Sequence, residues 1–361
     1  MRVIYWNKVF DVAVDTMYLF GSILLLLVVL ALIANAYRIS TLVLYPPRQP
    51  ISRTPADYGL AYEDISFASK DGLLLHGWWL PGRANALTHD PDRVVLILHP
   101  HFGNRHGLCT ERQGWLPISE NDLDLLLVAQ AFHQAGYAVL MFDFRSHGES
   151  PRGLCAGGFT EDQDVLGAVD YLFQRVAPDN LERPKVGVIG FGLGAAATLV
   201  ALGREKGGAD VIRVFSGDSE GGSGFLAIQP LSVKRLRFLV AVQPDALKTA
   251  VSAILRTRIG ACGLFLRPMV DLFCQWRGGF PLSATALDRF VGEAHIPLLY
   301  IHTNADSQTE SGDIQRLYDL TPGPKQICRL DNLMGAHGTY LHVVSQLDPV
   351  LAFAAQQVNQ P

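Results

Sequence analysis

Lys185-Val-Gly-Val-Ile-Gly-Phe-Gly-Leu-Gly-Ala-Ala-Ala-Thr198 is the stretch that decides how this chain is read. Val186–Ile189 is a short apolar strand, Gly190-Phe-Gly-Leu-Gly194 a glycine-dense turn, and Ala195–Leu202 the body of a helix. A strand that turns sharply into a helix lifts the residue at the apex above the sheet edge, which is how a G-x-S-x-G elbow presents a serine hydroxyl. Here the apex is Gly192, so the scaffold of an elbow is present and its hydroxyl is absent. Gly-Asp-Ser-Glu-Gly at 217–221 satisfies the pattern literally, but it follows no clean strand and opens no apolar helix. Ser219 therefore reads as loop.

Strand and helix signals alternate on both sides of the elbow. Tyr62–Ala68 and Leu73–Leu80 flank Ser69-Lys-Asp-Gly72, a hairpin signal. Val94–Leu98, Tyr137–Asp143, Arg237–Val242 and Leu298–His302 are apolar runs of the kind buried on both faces of a parallel sheet. Asp122–Ala135 has helical periodicity, with Asn121 as N-cap and Gly136 as stop. A second helix spans Thr160–Val176, and Thr160 with Gln163 has the spacing of a capping box. The alternation predicts a mainly parallel sheet covered by helices on both faces. Two stretches break it: a Gly/Ser/Asp-rich insertion at 203–224, and a largely helical segment, 245–294, placed where a cap over the carboxyl edge would be inserted.

The N-terminus differs in kind. Thr16 to Tyr37 contains no charged residue, and its 22 residues at ~1.5 Å each reach about 33 Å, enough to cross a ~30 Å hydrocarbon core. Ala34-Asn35-Ala36 resembles a signal-peptide cleavage site, but the apolar run is longer than a usual h-region and follows Asp11 and Asp15. No polar face marks it as a core helix. The reading is an uncleaved single-span anchor within residues 1–37, a Pro-containing linker over 38–60 that acts as a stiff spacer, and one domain over 61–361. Arginines stand on both sides of the span, so charge assigns the domain to neither side of the membrane.

Composition narrows the function classes. The chain has 361 residues, 49% apolar and 18% charged, with a net charge of −4 and no basic stripe, which argues against nucleic acid as a partner. Its five cysteines are dispersed and show neither a disulfide framework nor zinc-ribbon spacing. His99, His101 and His106 invite a metal reading, but no carboxylate or cysteine partner stands nearby in sequence, and no metal is expected. No dinucleotide fingerprint or phosphate loop is present, so no cofactor is expected.

Seven motifs in order carry a resemblance. They are Asp71-Gly72 with His76-Gly-Trp78; His99-Pro-His-Phe-Gly-Asn104; Phe142-Asp-Phe-Arg-Ser-His-Gly-Glu-Ser150; Asp164-Val-Leu-Gly-Ala-Val-Asp170; the elbow; Ile301-His-Thr-Asn-Ala-Asp306; and Gly335-Ala-His337. From about Tyr62 to Phe353 the chain resembles the α/β-hydrolase superfamily, in particular its membrane-tethered serine-hydrolase-like branch. The resemblance implies an α/β-hydrolase fold with a helical cap, Asp306 as the triad acid, His337 in a glycine-flanked loop as the base, and Gly192 at the nucleophile position. It implies an oxyanion hole from the backbone N–H groups of Leu193 and His101, with Phe102 as the alternative to His101. Pro100 stands where the family usually has glycine, and Ser146 does likewise in a turn whose Asp143, Arg145 and His147 are mostly structural.

Two functions follow. One is a membrane-anchored pseudoenzyme on an esterase-like scaffold that binds an apolar acyl, lipid or peptide-like ligand without turnover. The other is an active hydrolase of carboxylic esters or related acyl substrates, using water activated by His337 and Asp306 or an unrecognised nucleophile.

Overall fold

A computed structural model of the chain describes residues 2–82, 91, 93–108, 122–176, 185–204, 233–244, 247–303, 311–330 and 335–359. Ser219 and Asp306 lie outside them, as does Asn121. The chain opens with one long helix, α1 (Arg2–Leu44). An antiparallel hairpin follows, β1 (Glu63–Ala68) with β2 (Leu74–Leu80), turned at Asp71-Gly72 as the sequence predicts. β3 (Arg93–Leu98) leads to a two-stranded ribbon, β4 (Gly107–Leu108) with β5 (Leu123–Asp124), and then to α2 (Leu125–Gln134) and β6 (Ala138–Phe142). After α3 (Asp162–Val176) come β7 (Lys185–Phe191), α4 (Leu193–Arg204) and β8 (Phe238–Val242). The segment between β8 and β9 carries α5 (Leu247–Ile259) and α6 (Arg267–Gly278), then short 3-10 turns. β9 (Leu298–Thr303), α7 (Ser311–Leu320), β10 (Lys325–Leu330), α8 (Gly335–Ser345) and α9 (Asp348–Asn359) complete the described chain.

The main sheet has eight strands in the order β1-β2-β6-β3-β7-β8-β9-β10. The hairpin and the β2–β6 pair are antiparallel, and every pairing from β6 through β10 is parallel. Because side chains alternate faces along a strand, β3 feeds two cores. Val94, Leu96 and Leu98 pack with α3 and α4, while Val95 and Ile97 pack with α2, α8 and α9. Burial on both faces is what the unbroken apolar runs of β3, β6 and β8 predict.

Three local expectations are corrected. Asp124, not Asn121, caps α2, its carboxylate accepting from Leu126 N–H at 3.0 Å; the preceding residues are spent on β5. Thr160 does not open α3, because its hydroxyl donates to Leu154 O at 2.7 Å, and the helix starts at Asp162. The linker over 38–60 is no free spacer. α1 runs on through Leu44, burying Ala36, Ile39, Val43 and Leu44 against α5 and α6, and beyond it Asn104 Nδ2 donates to Gln49 O and Pro50 O. Residues 245–294 were expected as a cap. α5 and α6 within them pack on Leu154, Ala156 and Phe159, which follow the carboxyl end of β6.

Candidate functional site

β7 delivers the chain to Gly192, and α4 begins at the next residue. Gly192 has φ +49°, the left-handed conformation that side chains resist. Its N–H donates to Val242 O at 2.9 Å and its carbonyl accepts Ala196 N–H at 3.0 Å, so the turn is tied to β8 and closes the first turn of α4. The flanking glycines answer to proximity. A methyl at Gly190 would meet Ala195 Cα at 2.6 Å, and one at Gly194 would meet Leu98 O at 2.7 Å. The glycine density therefore lets α4 press directly onto β7 and β3.

Strained backbone clusters at this carboxyl edge. Phe102 after β3, Ser146 after β6 and Gln243 after β8 have φ of +66°, +61° and +48°. Such conformations cost ~1–3 kcal/mol each and gather at functional sites.

The space above Gly192 belongs to Tyr340. A Cβ at Gly192 would run into the Tyr340 hydroxyl and lie 3.5 Å from its Cζ and 3.4 Å from Pro100 Cβ. Tyr340 is buried, its ring edge-on to Phe191 at 5.8 Å. It comes from α8, three residues after His337. His337 itself stands in the first turn of α8, not in the loop expected of it, because the chain becomes helical at Gly335. Leu193 is buried at the first position of α4, where helical N–H groups have no intrahelical acceptor.

Three imidazoles line the neighbouring loops. His99 Nδ1–H donates to Pro100 O at 2.8 Å and Nε2 accepts Phe144 N–H at 3.1 Å, which fixes its tautomer. His147 lies 5.0 Å from the His99 ring and 5.4 Å from that of His101, centroid to centroid, and its Nδ1–H donates to Arg145 O at 2.8 Å. Burial holds all three well below the ordinary histidine range, His147 at about 4, and their mutual proximity deepens the effect at His99 and His101. Neither ring nitrogen of His101 has a hydrogen-bond partner among the described residues. His106 turns elsewhere, its Nδ1 at 3.2 Å from Ser52 Oγ and its Nε2 at 3.7 Å from Asp124. Among the described residues no group of three or more His, Cys, Asp or Glu is placed to hold a metal ion.

Beneath the site two arginines organise the turn after β6. Asp143 accepts Arg105 N–H and Nη1–H, both at 2.7 Å, and Glu149 N–H at 2.9 Å. Arg145 forks onto Asp71 at 2.8 Å twice and also binds Asp164, joining the hairpin turn to α3. Burial opposes its charge, but the buried Asp164 carboxylate and the more open one of Asp71 outweigh that and push the Arg145 pKa up. The sequence reading of Asp143, Arg145 and His147 as structural matches these partners. It missed Tyr340, whose only signal was its i+3 spacing from His337 on what proved to be a helix.

No protein-family model matches the chain. It is similar to the uncharacterized protein YfhR of Salmonella typhi, 27% identical over 78% of this chain and 76% of the relative. It is also similar to the uncharacterized protein YqkD of Bacillus subtilis, 23% identical over 68% and 65%. Among solved structures, the Pyrococcus furiosus esterase Pf2001 superposes with a TM-score of 0.59 at 19% identity, covering 87% of this chain and 98% of the esterase. The α/β hydrolase GrgF from Penicillium sp. sh18 gives 0.51 at 15% identity, covering 83% and 100%. With the mostly parallel eight-stranded sheet and its strand–turn–helix at Gly192, these likenesses identify the architecture: the chain has the α/β-hydrolase fold.

Proposed function

We propose that this is a membrane-anchored α/β-hydrolase-fold protein whose serine mechanism is disabled at Gly192, and that its site binds an acyl, lipid or peptide-like ligand without turning it over. The observation that carries this reading is the Tyr340 hydroxyl. It fills the volume into which a side chain at position 192 would project. A working nucleophile needs that volume for itself and for the carbonyl it attacks. Loss of a triad serine costs ~10⁶ in turnover elsewhere, leaving ~10³–10⁴ over water from the oxyanion hole and binding. Asp306 and His337 serve in this reading as remnants of the acid and base, and Leu193 and His101 N–H groups as the donors that receive a ligand carbonyl. The anchor is α1, whose Val14–Leu44 stretch is long and apolar enough to cross a membrane.

The same hydroxyl supports a second reading. Tyr340 Oη would attack an acyl carbonyl, passing its proton to the His337 imidazole, which returns it to the departing alcohol; water would then hydrolyse the acyl-tyrosine. Hydrolysis of p-nitrophenyl esters by the full chain in detergent separates the two. The binding protein is silent, and a fluorophosphonate labels Gly192→Ser weakly but Gly192→Ser/Tyr340→Phe strongly, because phenylalanine vacates the contested space. A parent that turns over esters, and loses this in Tyr340→Phe, would make it an enzyme with a tyrosine nucleophile.

A further inference from the structure

The cap segment carries an apolar surface that the site does not use. Phe265, Leu272 and Trp276 are 87%, 62% and 74% exposed, and Ile259 is also exposed. Met269, Leu272, Phe273 and Trp276 fall at i, i+3, i+4 and i+7, one face of α6. Part of that face is spoken for: Phe273 sits edge-on to Tyr37 of α1 at 5.5 Å, and Arg277 covers the Tyr37 ring at 4.7 Å while donating to Thr41 Oγ1 at 2.6 Å. Leu272 and Trp276 remain outside. Large apolar groups massed on a surface mark a contact with a partner or a membrane.

Where α6 meets α1 identifies the partner. Tyr37 ends the 22-residue uncharged run that begins at Thr16. A helix of that length traverses a ~30 Å hydrocarbon core, which sets Tyr37 at the headgroup level, where tyrosine and tryptophan concentrate. α6 is packed on α1 at that level, so its uncovered side continues the lipid-facing surface of the anchor. The charges agree. Asp271, the acid of α6, turns inward to accept Leu282 N–H at 2.7 Å, while Arg267 and Arg277 stand at the two ends of the helix.

We infer that the Phe265–Leu272–Trp276 face lies in the headgroup–acyl boundary of the bilayer that α1 spans, making the cap a second, monotopic membrane contact. This rests on the anchor reading. It places the cap over the sheet edge at the lipid surface, so that a ligand reaching the site would come from the membrane.

The test uses the full chain reconstituted in phosphatidylcholine–phosphatidylglycerol vesicles, with and without acyl-brominated phosphatidylcholine, as parent and as Trp276→Phe. Trp6, Trp78, Trp79 and Trp115 emit in both proteins and cancel in the difference. The expected result is bromine quenching of the Trp276 contribution in protein that resists carbonate extraction. An extraction-resistant chain whose Trp276 ignores bromolipid overturns the inference and leaves the anchor standing. If that chain is also dimeric in dilute detergent, and monomeric as Leu272→Glu, the face belongs to a second copy. Extraction with quenching removes the span and keeps the cap contact, and extraction without quenching overturns both.

Discussion

At Gly190 and Gly194 the obstacle to any side chain is backbone: Ala195 in one case, the Leu98 carbonyl in the other. Neither can move without separating α4 from the sheet. Gly190→Ala and Gly194→Ala should therefore each destabilise the chain by about 1–3 kcal/mol through overpacking. Gly192→Ala meets only the end of the Tyr340 side chain and a left-handed backbone worth about 1–2 kcal/mol. Thermal unfolding of the three variants in detergent should rank Gly192→Ala as the mildest. Histidine burial makes a second prediction at this scale. His147 titrates near 4 in the folded chain and at ~6.5 when unfolded, so between those values the unfolded state binds more protons and stability falls as pH falls. From pH 7 to 5 this one imidazole should cost on the order of 2 kcal/mol. His147→Gln should flatten the pH dependence of the unfolding midpoint; an unchanged slope would place the proton uptake elsewhere. Gly192 was legible from its strand–turn–helix setting. Tyr340 was not, because nothing local ties position 340 to position 192.

Among elements, the turn after β6 ties together others that are distant in sequence. Arg145 holds the β1–β2 turn through Asp71 and α3 through Asp164, with Asp164 fully buried. Removing it strands that carboxylate, a loss that costs ~3–5 kcal/mol in buried pairs. Arg145→Ala should lower the denaturation midpoint severely, and Arg145→Lys should recover little of it, since one ammonium cannot reproduce a planar fork onto two carboxylates. Urea titration of the three proteins checks both expectations. Elements with strong one-dimensional signals were readable: the hairpin from its Asp-Gly turn, and the interior strands from continuous apolar runs. β10 was not read, because an edge strand half open to solvent carries Lys325, Gln326 and Arg329 and lacks such a run. The starts of α2 and α3 were misjudged for a related reason. The residues just before each helix are engaged elsewhere: Leu123 and Asp124 pair with β4, and the Thr160 hydroxyl is spent on Leu154 O.

For the whole molecule, hydropathy located the apolar helix but could not show that its last turns belong to the body. Ala36, Ile39, Val43 and Leu44 share a core with Val251, Leu255 and Val270, and Leu44 O accepts Cys155 N–H at 2.9 Å. A fully buried aliphatic side chain contributes roughly 1.5–3 kcal/mol. Three such chains from α1 thus amount to about 5–9 kcal/mol as an upper bound, against a whole-domain stability of ~5–15 kcal/mol. A chain beginning at residue 46, where the sequence suggests a linker, gives up that core and exposes the faces of α5 and α6 that formed it. One beginning at residue 35 sheds the exposed apolar stretch and keeps the contact. The second should run as a single species on size exclusion and unfold at a clearly higher temperature, while the first should aggregate or unfold early. Equal midpoints would mean that α1 merely touches the cap and that the fold ends where the prolines begin.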